Sequence, residues 1–359
     1  MSDFIVVGGG IAGISAAARL SELGSVTLLE REPALGTHAS GRSAALFEET
    51  YGKPSVIALN RASKAYHQTA HGGVLSPRGL LLIGTPDLAE RFEADVTTME
   101  MTRIDMDAAR ALVPILNPDV VDRAAYHSEA WDIDTDRLIQ NFARDLRGNG
   151  GQIVTRAEVT GIRRTATGWA VTTPSQTHEG RHLVNAAGAW VDVIASMAGI
   201  TPLGFTPYRR SMARIPAPVG HDVSRWPMVF GAGEDWYAKP DAGALIVSPA
   251  EEHLMAPHDA YPDDMTLAEG LARYEAHVTT PVIRLLASWA GLRTFAPDRQ
   301  LVLGPSPQDP QFIWCAGQGG YGFQTCPAAS QHLADLLGGR PHAISDEHAA
   351  ALSPARFGI

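Results

Sequence analysis

Four residues near the start of the chain have the types and spacing needed to bind a dinucleotide. Gly8, Gly10 and Gly13 follow a short apolar run, and Glu30 ends the next apolar run. Gly8 permits a tight turn, Gly10 lets backbone N–H groups approach a pyrophosphate, and Gly13 lets a helix pack against a strand. The Glu30 carboxylate can accept hydrogen bonds from ribose hydroxyls. The pattern predicts a nucleotide site, and the alternative is a glycine-rich turn that binds nothing.

A strand, a helix and a second strand must position these residues. Residues 5–7 and 26–30 are predicted strands, and residues 11–23 are a predicted helix that begins with small side chains. The N-terminus of this helix would offer unpaired N–H groups and the positive end of its dipole to the phosphates. We therefore expect Ile11 and Ala12 to line the same site.

Three further segments carry enough small residues to let a ligand approach the backbone. They are residues 184–190, residues 39–45 and residues 317–324. The second contains serines and an arginine that can donate to phosphates. The third would place a helix N-terminus beside a flat, electron-rich group and stabilise negative charge on it. Taken singly, each segment has an ordinary alternative as a strand–helix turn, a surface turn or a glycine-rich helix start.

Composition excludes several classes of function. The chain has 359 residues, 45% of them hydrophobic, and a formal net charge of −10 without a long basic run, so nucleic acid is not an expected partner. No apolar stretch approaches the ~20 residues of a membrane span. No signal peptide is visible, and the two cysteines lack metal-ligand spacing. These features predict a cytoplasmic protein without a metal site.

The order of elements predicts two interleaved domains of an α/β protein. Alternating strands and helices are interrupted by a meander of short runs with Pro and Gly between residues 205 and 247. We expect a Rossmann-like FAD-binding domain and an interleaved α+β substrate domain built on an antiparallel sheet. The boundaries place residues 1–78, 135–204 and 285–359 in the first domain and residues 79–134 and 205–284 in the second.

Taken together and in this order, the four small-residue segments resemble the D-amino acid oxidase superfamily of FAD-dependent oxidoreductases. Within it, the chain is most similar to the bacterial D-arginine dehydrogenases. The likeness covers nearly the whole chain and is carried, besides residues 41–45 and 318–322, by Tyr51-Gly52, Arg209-Arg210-Ser211, Trp226-Pro227-Met228, residues 237–243 and residues 289–293.

The resemblance implies FAD bound noncovalently in an elongated form, with the flavin at the domain interface. No cysteine stands after Leu292-Arg293, where monomeric sarcosine oxidases attach their flavin. The expected cofactor-binding residues are Gly8, Gly10, Ile11, Ala12, Gly13, Glu30, Arg31, Ala39, Ser40, Gly41, Arg42, Ser43, Ala44, Ala45, Leu46, Val159, Ala186, Ala187, Gly188, Trp190, Gly291, Arg293, Gly319, Gly320, Tyr321, Gly322, Phe323 and Gln324.

The resemblance also implies a set of substrate residues. The arginines that hold the substrate carboxylate correspond to Arg210 and Arg293, and the two tyrosines over the substrate correspond to Tyr51 and Tyr237. The backbone carbonyl that accepts from the amino group corresponds to Gly320. Arginine is also, by its own chemistry, the side chain suited to bidentate recognition of a carboxylate. The ordinary alternatives are surface salt bridges for the arginines and core packing for the tyrosines.

Three pocket positions depart from the D-arginine dehydrogenase pattern. Leu80 replaces the glutamate that binds the guanidinium group, Leu46 replaces a histidine, and Glu48 replaces a threonine. The two leucines favour a substrate with an apolar side chain. Glu48 is the position that could still attract a cationic one.

These residues predict oxidative deamination of a D-amino acid, with hydride transfer from the α-carbon to flavin N5 and hydrolysis of the imino acid to a 2-oxo acid and ammonia. No His or Glu general base is evident, and none is needed if the amine binds neutral. The alternatives are a glycine- or sarcosine-type amine oxidase, a 2-hydroxy-acid dehydrogenase of the same superfamily, and a flavoprotein assembly factor without turnover. The electron acceptor (a quinone, another carrier or oxygen) and the oligomeric state stay open.

Overall fold

A computed structural model describes residues 1–358 and contains two large β-sheets, a small third sheet and nine α-helices within that range. The strands are β1 (Ser2–Val7), β2 (Val26–Leu29), β3 (Leu46–Phe47), β4 (Leu75–Pro77), β5 (Leu80–Gly84), β6 (Thr102–Ile104), β7 (Arg123–His127), β8 (Trp131–Ile133), β9 (Gln152–Val154), β10 (Gly161–Arg164), β11 (Trp169–Thr172), β12 (Thr177–Asn185), β13 (Thr206–Pro216), β14 (Met228–Gly231), β15 (Tyr237–Asp241), β16 (Ala244–Ser248), β17 (His253–Leu254), β18 (Ala287–Phe295), β19 (Val302–Pro305) and β20 (Phe312–Ala316).

Helices cover the first sheet and connect the two large sheets. The α-helices are α1 (Ile11–Leu20), α2 (Pro54–Thr69), α3 (Ala89–Thr98), α4 (Met106–Leu112), α5 (Thr135–Gly148), α6 (Val191–Met197), α7 (Asp264–Ala276), α8 (Gly322–Gly338) and α9 (Asp346–Leu352). Short 3-10 helices span Ser40–Arg42, Ala70–Gly72, Pro86–Leu88, Gly188–Trp190 and Pro354–Phe357.

The first sheet is built around parallel pairs of β1 with β2 and with β12. Its strand order is β10-β11-β12-β1-β2-β9, with β20 pairing with β12 and β19 pairing with β20. The last four residues of β1 and all of β2 are buried, as expected of parallel strands covered on both faces. This is the Rossmann-like sheet that the sequence predicts.

Helix α1 packs closely on this sheet because its inward residues are small. Ala16, Ala17 and Ala18 are buried in the same core as residues of α5 and α8. A side chain at Gly13 would collide with the Gly8 carbonyl. The helix ends at Leu20, three residues before the predicted end, and residues 21–23 continue as a turn.

The second sheet has the order β17-β13-β16-β15-β14-β5-β7-β6, and β18 pairs with β13. It is antiparallel except for the parallel pair of β5 and β14. Strand β18 belongs to it, although the predicted boundary assigns residues 285–359 to the cofactor domain. If each strand were assigned to a domain by the sheet it joins, the boundary would fall after Phe295. The division into domains stays a prediction. Strands β3, β8 and β4 form the small third sheet.

Two further observations concern membrane spans and metal sites. Within residues 1–358, no helix is long and apolar enough to cross a membrane. The same residues contain no group of three or more His, Cys, Asp or Glu side chains placed to hold a metal ion. The cytoplasmic location stays a prediction.

Candidate active site

A cleft of about 380 Å³ runs from the carboxyl end of β1 to the junction of the two large sheets. It is lined by all four small-residue segments, which lie far apart in the chain: residues 8–12, 39–46, 186–190 and 317–324. Because these segments follow β1 and β12 or begin α1 and α8, the cleft lies where backbone N–H groups of two helix N-termini are exposed. That is the environment a dinucleotide pyrophosphate requires.

Glu30 holds the turn at one end of the cleft. Its Oε2 accepts a hydrogen bond from the Gly9 N–H at 2.5 Å, and its Oε1 accepts from the Glu32 N–H at 2.8 Å. Each carboxylate oxygen keeps a second lone pair, so Glu30 can still accept from ribose hydroxyls. Nearby, the Arg31 guanidinium lies 4.9 Å from the ring centre of Trp190. The role of Glu30 at the ribose stays a prediction.

Ser40 and Arg42 support the cleft in different ways. The Ser40 hydroxyl accepts a hydrogen bond from the Ile11 N–H at 3.0 Å and can still donate its own proton. Arg42 Nη1 donates to the carbonyls of Ala260 and Ala290 at 2.8 and 2.9 Å, and Nη2 pairs with Asp259 at 2.5 Å. Arg42 therefore ties the segment around residue 260 over the cleft and has fewer donors left for phosphate than the sequence suggested.

Most of the predicted cofactor-binding residues line the cleft, and three do not. The lining residues among them are Gly8, Gly10, Ile11, Ala12, Glu30, Arg31, Ala39, Ser40, Arg42, Ser43, Ala44, Ala45, Leu46, Val159, Ala186, Ala187, Gly188, Trp190, Gly291, Arg293, Gly319, Gly320, Gly322, Phe323 and Gln324. Gly13, Gly41 and Tyr321 do not line the cleft: Gly13 is buried, Tyr321 is half-buried, and Gly41 is exposed outside it. Both glycines pack against a glycine carbonyl, and the Tyr321 ring packs against Tyr51 and Phe295.

The structure adds lining residues that the sequence patterns did not single out. His38 and His258 line the cleft, as do Thr37, Met197 and Gln318. The His38 ring lies 5.0 Å from the Trp190 ring in a tilted arrangement, and its Nε2 is 2.9 Å from Glu32 Oε1, so protein contacts hold it in place. Gln318 belongs to the glycine-rich segment already recognised. No spacing pattern in the sequence marks the two histidines as residues that line the cleft.

A second, smaller cavity of about 110 Å³ opens from the cleft. The two share eight lining residues, namely Ser43, Ala44, Ala45, Leu46, Arg210, Arg293, Gly320 and Gln324. All the predicted substrate residues line the second cavity: Arg210, Arg293, Tyr51, Tyr237, Gly320, Leu46, Glu48 and Leu80. The structure thus brings together, beside the cofactor cleft, residues from six separate parts of the chain.

The register of β13 and β18 places the two arginines together. Arg210 is opposite Gly291, and Arg293 is opposite Tyr208. Since residues two apart on a strand share a face, Arg210 and Arg293 are diagonal neighbours on one face, about 7–8 Å apart at the backbone. The glycine opposite Arg210 leaves space for both side chains, and so the sheet creates a region of concentrated positive charge.

Arg293 has no counter-ion in contact. Within residues 1–358, its guanidinium makes no hydrogen bond or ion pair, and it lies against the backbone of Gly320. Burial lowers the pKa of Arg293, but the nearby Tyr237, Tyr51, Glu234 and Glu252 raise it by a larger amount together, so the group stays charged. A buried cation facing a cavity with no partner is a strong indication of an anionic ligand.

Arg210 has protein partners for only some of its hydrogen-bond donors. Its Nε donates to the Glu251 carbonyl at 3.1 Å, and its Nη2 lies 3.4 Å from Glu252 Oε1. Burial is the main cause that lowers the pKa of Arg210, and the charge of Arg293 lowers it further. The remaining donors of Arg210 face the cavity beside Arg293, where the two can hold one carboxylate.

The two tyrosines differ in what their hydroxyl groups contact. The Tyr51 hydroxyl donates to Glu234 Oε2 at 3.1 Å, whereas the Tyr237 hydroxyl contacts the Met212 sulfur at 3.4 Å. Burial raises the pKa of Tyr51, so its phenol stays protonated at neutral pH. A thioether is a weak acceptor, so Tyr237 can exchange that contact for a stronger acceptor.

Glu48 is engaged by protein groups. Its Oε2 lies 2.8 Å from His127 Nδ1, and its Oε1 accepts from the Thr50 N–H and hydroxyl at 3.1 and 2.9 Å. The hydrogen bond that His127 donates to Glu48 raises the pKa of His127 despite partial burial, which favours the charged imidazolium. Glu48 therefore adds little unbalanced negative charge to the cavity.

The other walls of the cavity are mostly apolar. Paired strands place Leu80 beside Met228, and Phe230 beside Tyr237, on one face of the second sheet. Leu46, Met99 and Trp236 complete the apolar lining. The segment between the cavity and the cleft is held by Lys239, whose Nζ donates to the carbonyls of Ala44 and Ala45 at 2.7 and 3.1 Å.

Sequence reasoning missed Glu234, which also lines the small cavity. It lies in the tight turn between β14 and β15, with a left-handed φ of 56° after Gly233. An acidic residue in the glycine-rich run 231–234, three residues before Tyr237, was the available signal. Burial raises the pKa of Glu234, although its side chain reaches solvent at the mouth of the cavity.

Comparisons with known proteins agree with this geometry. A family model described as FAD dependent oxidoreductase matches residues 3–336. The chain is 23% identical to glycine oxidase of Bacillus licheniformis, covering 94% of both proteins. It is 24% identical to mitochondrial dimethylglycine dehydrogenase of Homo sapiens, covering 99% of this chain and 44% of that protein.

The solved structure of glycine oxidase from Geobacillus kaustophilus superposes with a TM-score of 0.82 at 20% identity, covering 98% of both chains. This likeness confirms the predicted fold class. The names of these relatives do not support the narrower resemblance to D-arginine dehydrogenases.

Proposed function

Because the chain belongs to the family of FAD-dependent oxidoreductases, we propose that it oxidises the carbon–nitrogen bond of a small α-amino acid or N-alkyl amino acid. FAD is the cofactor of this family, and when bound it supplies the hydride acceptor. The cleft fits FAD through Glu30, the two helix N-termini and the glycine backbone that lines it. The protein's own residues then have to bind and orient the substrate.

The unpaired Arg293 guanidinium carries this proposal. Arg293 faces the cavity without a counter-ion, and the neighbouring Arg210 uses only part of its hydrogen-bond donors on protein groups. Such a pair is suited to bind a carboxylate through two parallel hydrogen bonds. The carbonyl of Gly320 lies next to Arg293 and can accept a hydrogen bond from the substrate amine. With the carboxylate and the amine fixed, the α-carbon would lie at the junction of the cavity and the cleft.

Size supports a small substrate. The cavity of about 110 Å³ is well below the ~300–1,000 Å³ typical of pockets for drug-sized ligands. Glycine oxidase and dimethylglycine dehydrogenase, by their names, act on the smallest amino acid and its dimethyl derivative. A glycine- or sarcosine-type amine is therefore the better supported substrate.

A D-amino acid with an apolar side chain is the second candidate. The observation that favours it is the run of apolar side chains on one wall of the cavity, from Leu46 and Leu80 to Met228 and Phe230. Each methylene buried there would gain about 0.8 kcal/mol. A 2-hydroxy acid offers the same carboxylate, so the arginines do not by themselves distinguish it from an amino acid.

Anaerobic reduction of the bound flavin tests the proposal. The purified protein would be mixed with glycine, sarcosine, N,N-dimethylglycine, D- and L-alanine, D- and L-leucine, and lactate, each followed by bleaching near the flavin absorption maximum. Rapid bleaching by glycine or sarcosine supports the first candidate, and rapid bleaching by D-leucine alone supports the second. Bleaching by lactate alone, or by none of them, would overturn the proposal. Repeating the experiment in air then identifies whether oxygen is an acceptor.

A further inference from the structure

We infer that Glu234 accepts the proton that the substrate ammonium group must lose before oxidation, with the Tyr51 phenol as the relay. This inference rests on the function proposed above. It assigns a proton acceptor to a site in which the sequence shows no evident general base.

The chemical need for an acceptor follows from the substrate. An α-amino acid at neutral pH carries an ammonium group, and a hydride can leave the α-carbon only when the nitrogen has a free electron pair. One N–H bond must therefore break first. A base that is held within hydrogen-bond reach of the bound substrate can accept that proton directly.

The geometry provides a two-step path. The Tyr51 hydroxyl donates to Glu234 Oε2 at 3.1 Å, and both side chains line the small cavity with Arg293 and Gly320. A proton from the ammonium group would form an O–H bond on the Tyr51 oxygen as the original Tyr51 proton passes to Glu234. The amine is left neutral, Tyr51 is restored, Glu234 is a carboxylic acid, and no electrons are transferred in this step.

The other polar side chains near the substrate are poorly suited to accept this proton. Both Glu48 oxygens already bind protein groups, and its charge is compensated by His127. Tyr237 contacts only the Met212 sulfur, so its proton has no strong acceptor. Lys239 donates to two carbonyls and pairs with Asp132 at 2.7 Å. Glu234 is the carboxylate that is linked to the cavity by one hydroxyl group and open to solvent on the other side.

Solvent access explains how the proton would leave. Glu234 reaches water at the mouth of the cavity, so the acid formed there can be deprotonated between turnovers. Burial is the largest cause that raises the pKa of Glu234, and Asp95 raises it further, while the hydrogen bond from Tyr51 and the charge of Arg293 lower it. The titratable or charged side chains facing Glu234 are Tyr51, Asp95, Arg210, Arg293, Tyr321 and Arg91.

The test is the pH profile of kcat/KM, measured with whichever amino acid reduces the wild-type flavin. In Glu234→Gln the substrate must arrive with a neutral amine, whose fraction falls tenfold for each pH unit below the amine pKa. We expect a loss of about 100-fold at pH 7 that shrinks about tenfold per unit as the pH rises. Tyr51→Phe should show the same slope, and Glu234→Asp should restore a flat profile.

Two controls separate this role from a structural one. Acetate has a carboxylate and no amine, so its dissociation constant, read from the flavin spectrum, should stay within about twofold in Glu234→Gln. Glu49→Gln removes a neighbouring carboxylate that pairs with Lys64 outside the cavity, and its profile should match the wild type. A flat profile in Glu234→Gln or in Tyr51→Phe would overturn the inference. If no amino acid reduces the wild-type flavin, the proposed function itself fails first.

Discussion

Glu48 Oε2 lies 2.8 Å from His127 Nδ1, so this buried carboxylate, which lines the substrate cavity, is already paired with a cationic partner from β7. The sequence alone left open whether Glu48 attracts a cationic substrate. The pairing reduces that possibility because a second cation would have to displace the imidazolium or share its acceptor. The cavity is better described as two arginines, one hydroxyl-linked glutamate at the mouth, and apolar walls.

We predict that D-arginine is a poor substrate. Its guanidinium would lie against Leu46 and Leu80 and lose hydrogen bonds that it makes in water, at a cost of about 1–3 kcal/mol. At about 1.4 kcal/mol per tenfold, kcat/KM for D-arginine should be roughly 5- to 150-fold below that for D-leucine or D-methionine. Steady-state kinetics with these three substrates decide the point. A preference for D-arginine would contradict the prediction, and Glu48→Gln and Glu234→Gln would then identify the carboxylate responsible.

Arg293→Ala should abolish most activity and leave FAD in place. Removing one partner of a buried charged hydrogen bond costs about 2–5 kcal/mol, which corresponds to a loss of roughly 30-fold to a few thousand-fold in kcat/KM. Arg293→Lys keeps the charge without the bidentate geometry, so its kcat/KM should lie between those of the wild type and Arg293→Ala. The FAD content of each variant is measured alongside the kinetics. An alanine variant with wild-type kinetics would remove Arg293 from the substrate site.

The purified protein should be yellow and should release its flavin, as FAD, on acid or heat denaturation. Glu30 at the ribose position implies the adenosine half, and both cysteines are buried, with burial raising the pKa of Cys315 to about 12. A protonated, buried thiol is a poor nucleophile toward the flavin. Chromatography of the supernatant identifies the flavin. Flavin that remained with the precipitate would show a covalent link, and His38→Ala and His258→Ala would then test the two histidines that line the cleft.

The pairing of His127 with Glu48 should make stability depend on pH. Because Glu48 raises the pKa of His127 in the folded protein above its unfolded value, the stabilisation is fully present below the unfolded pKa and is lost as the pH rises through the folded pKa. The free energy of unfolding should therefore decrease as the pH rises above the ordinary histidine pKa of about 6.5. The effect should be under the ~1.4 kcal/mol of one pKa unit, because solvent partly screens the pair on the side of His127.

Urea unfolding of the FAD-loaded protein at several pH values measures this dependence. The variant His127→Gln keeps a hydrogen-bond donor without the titrating charge and should lose the pH-dependent part. His253→Gln, at an exposed position in β17, provides the matched control. An identical pH dependence in wild type and His127→Gln would show that the pair does not carry a charge in the folded state.

Much of the cofactor site could be predicted from the sequence because its chemistry is carried by backbone. Glycines at positions 8, 10 and 13, a helix start and a strand-terminal acid are local features, and a βαβ unit has few ways to place them. The same holds for the fold class, which follows from the order of apolar runs and turns. Arg210 and Arg293 were recognised as a pair from a resemblance, and the β13–β18 register explains why they meet.

The direction and partners of long side chains were decided only by the tertiary structure. Arg42 binds Ala260 and Ala290 across more than two hundred residues of chain, and Glu48 binds His127 from another sheet. Glu234 enters the cavity because the turn between β14 and β15 folds over Tyr51. Such contacts depend on how separate sheets pack. A sequence specifies which groups can form hydrogen bonds, but whether a carboxylate is free or paired is set by which distant groups the folded chain brings within 3 Å of it.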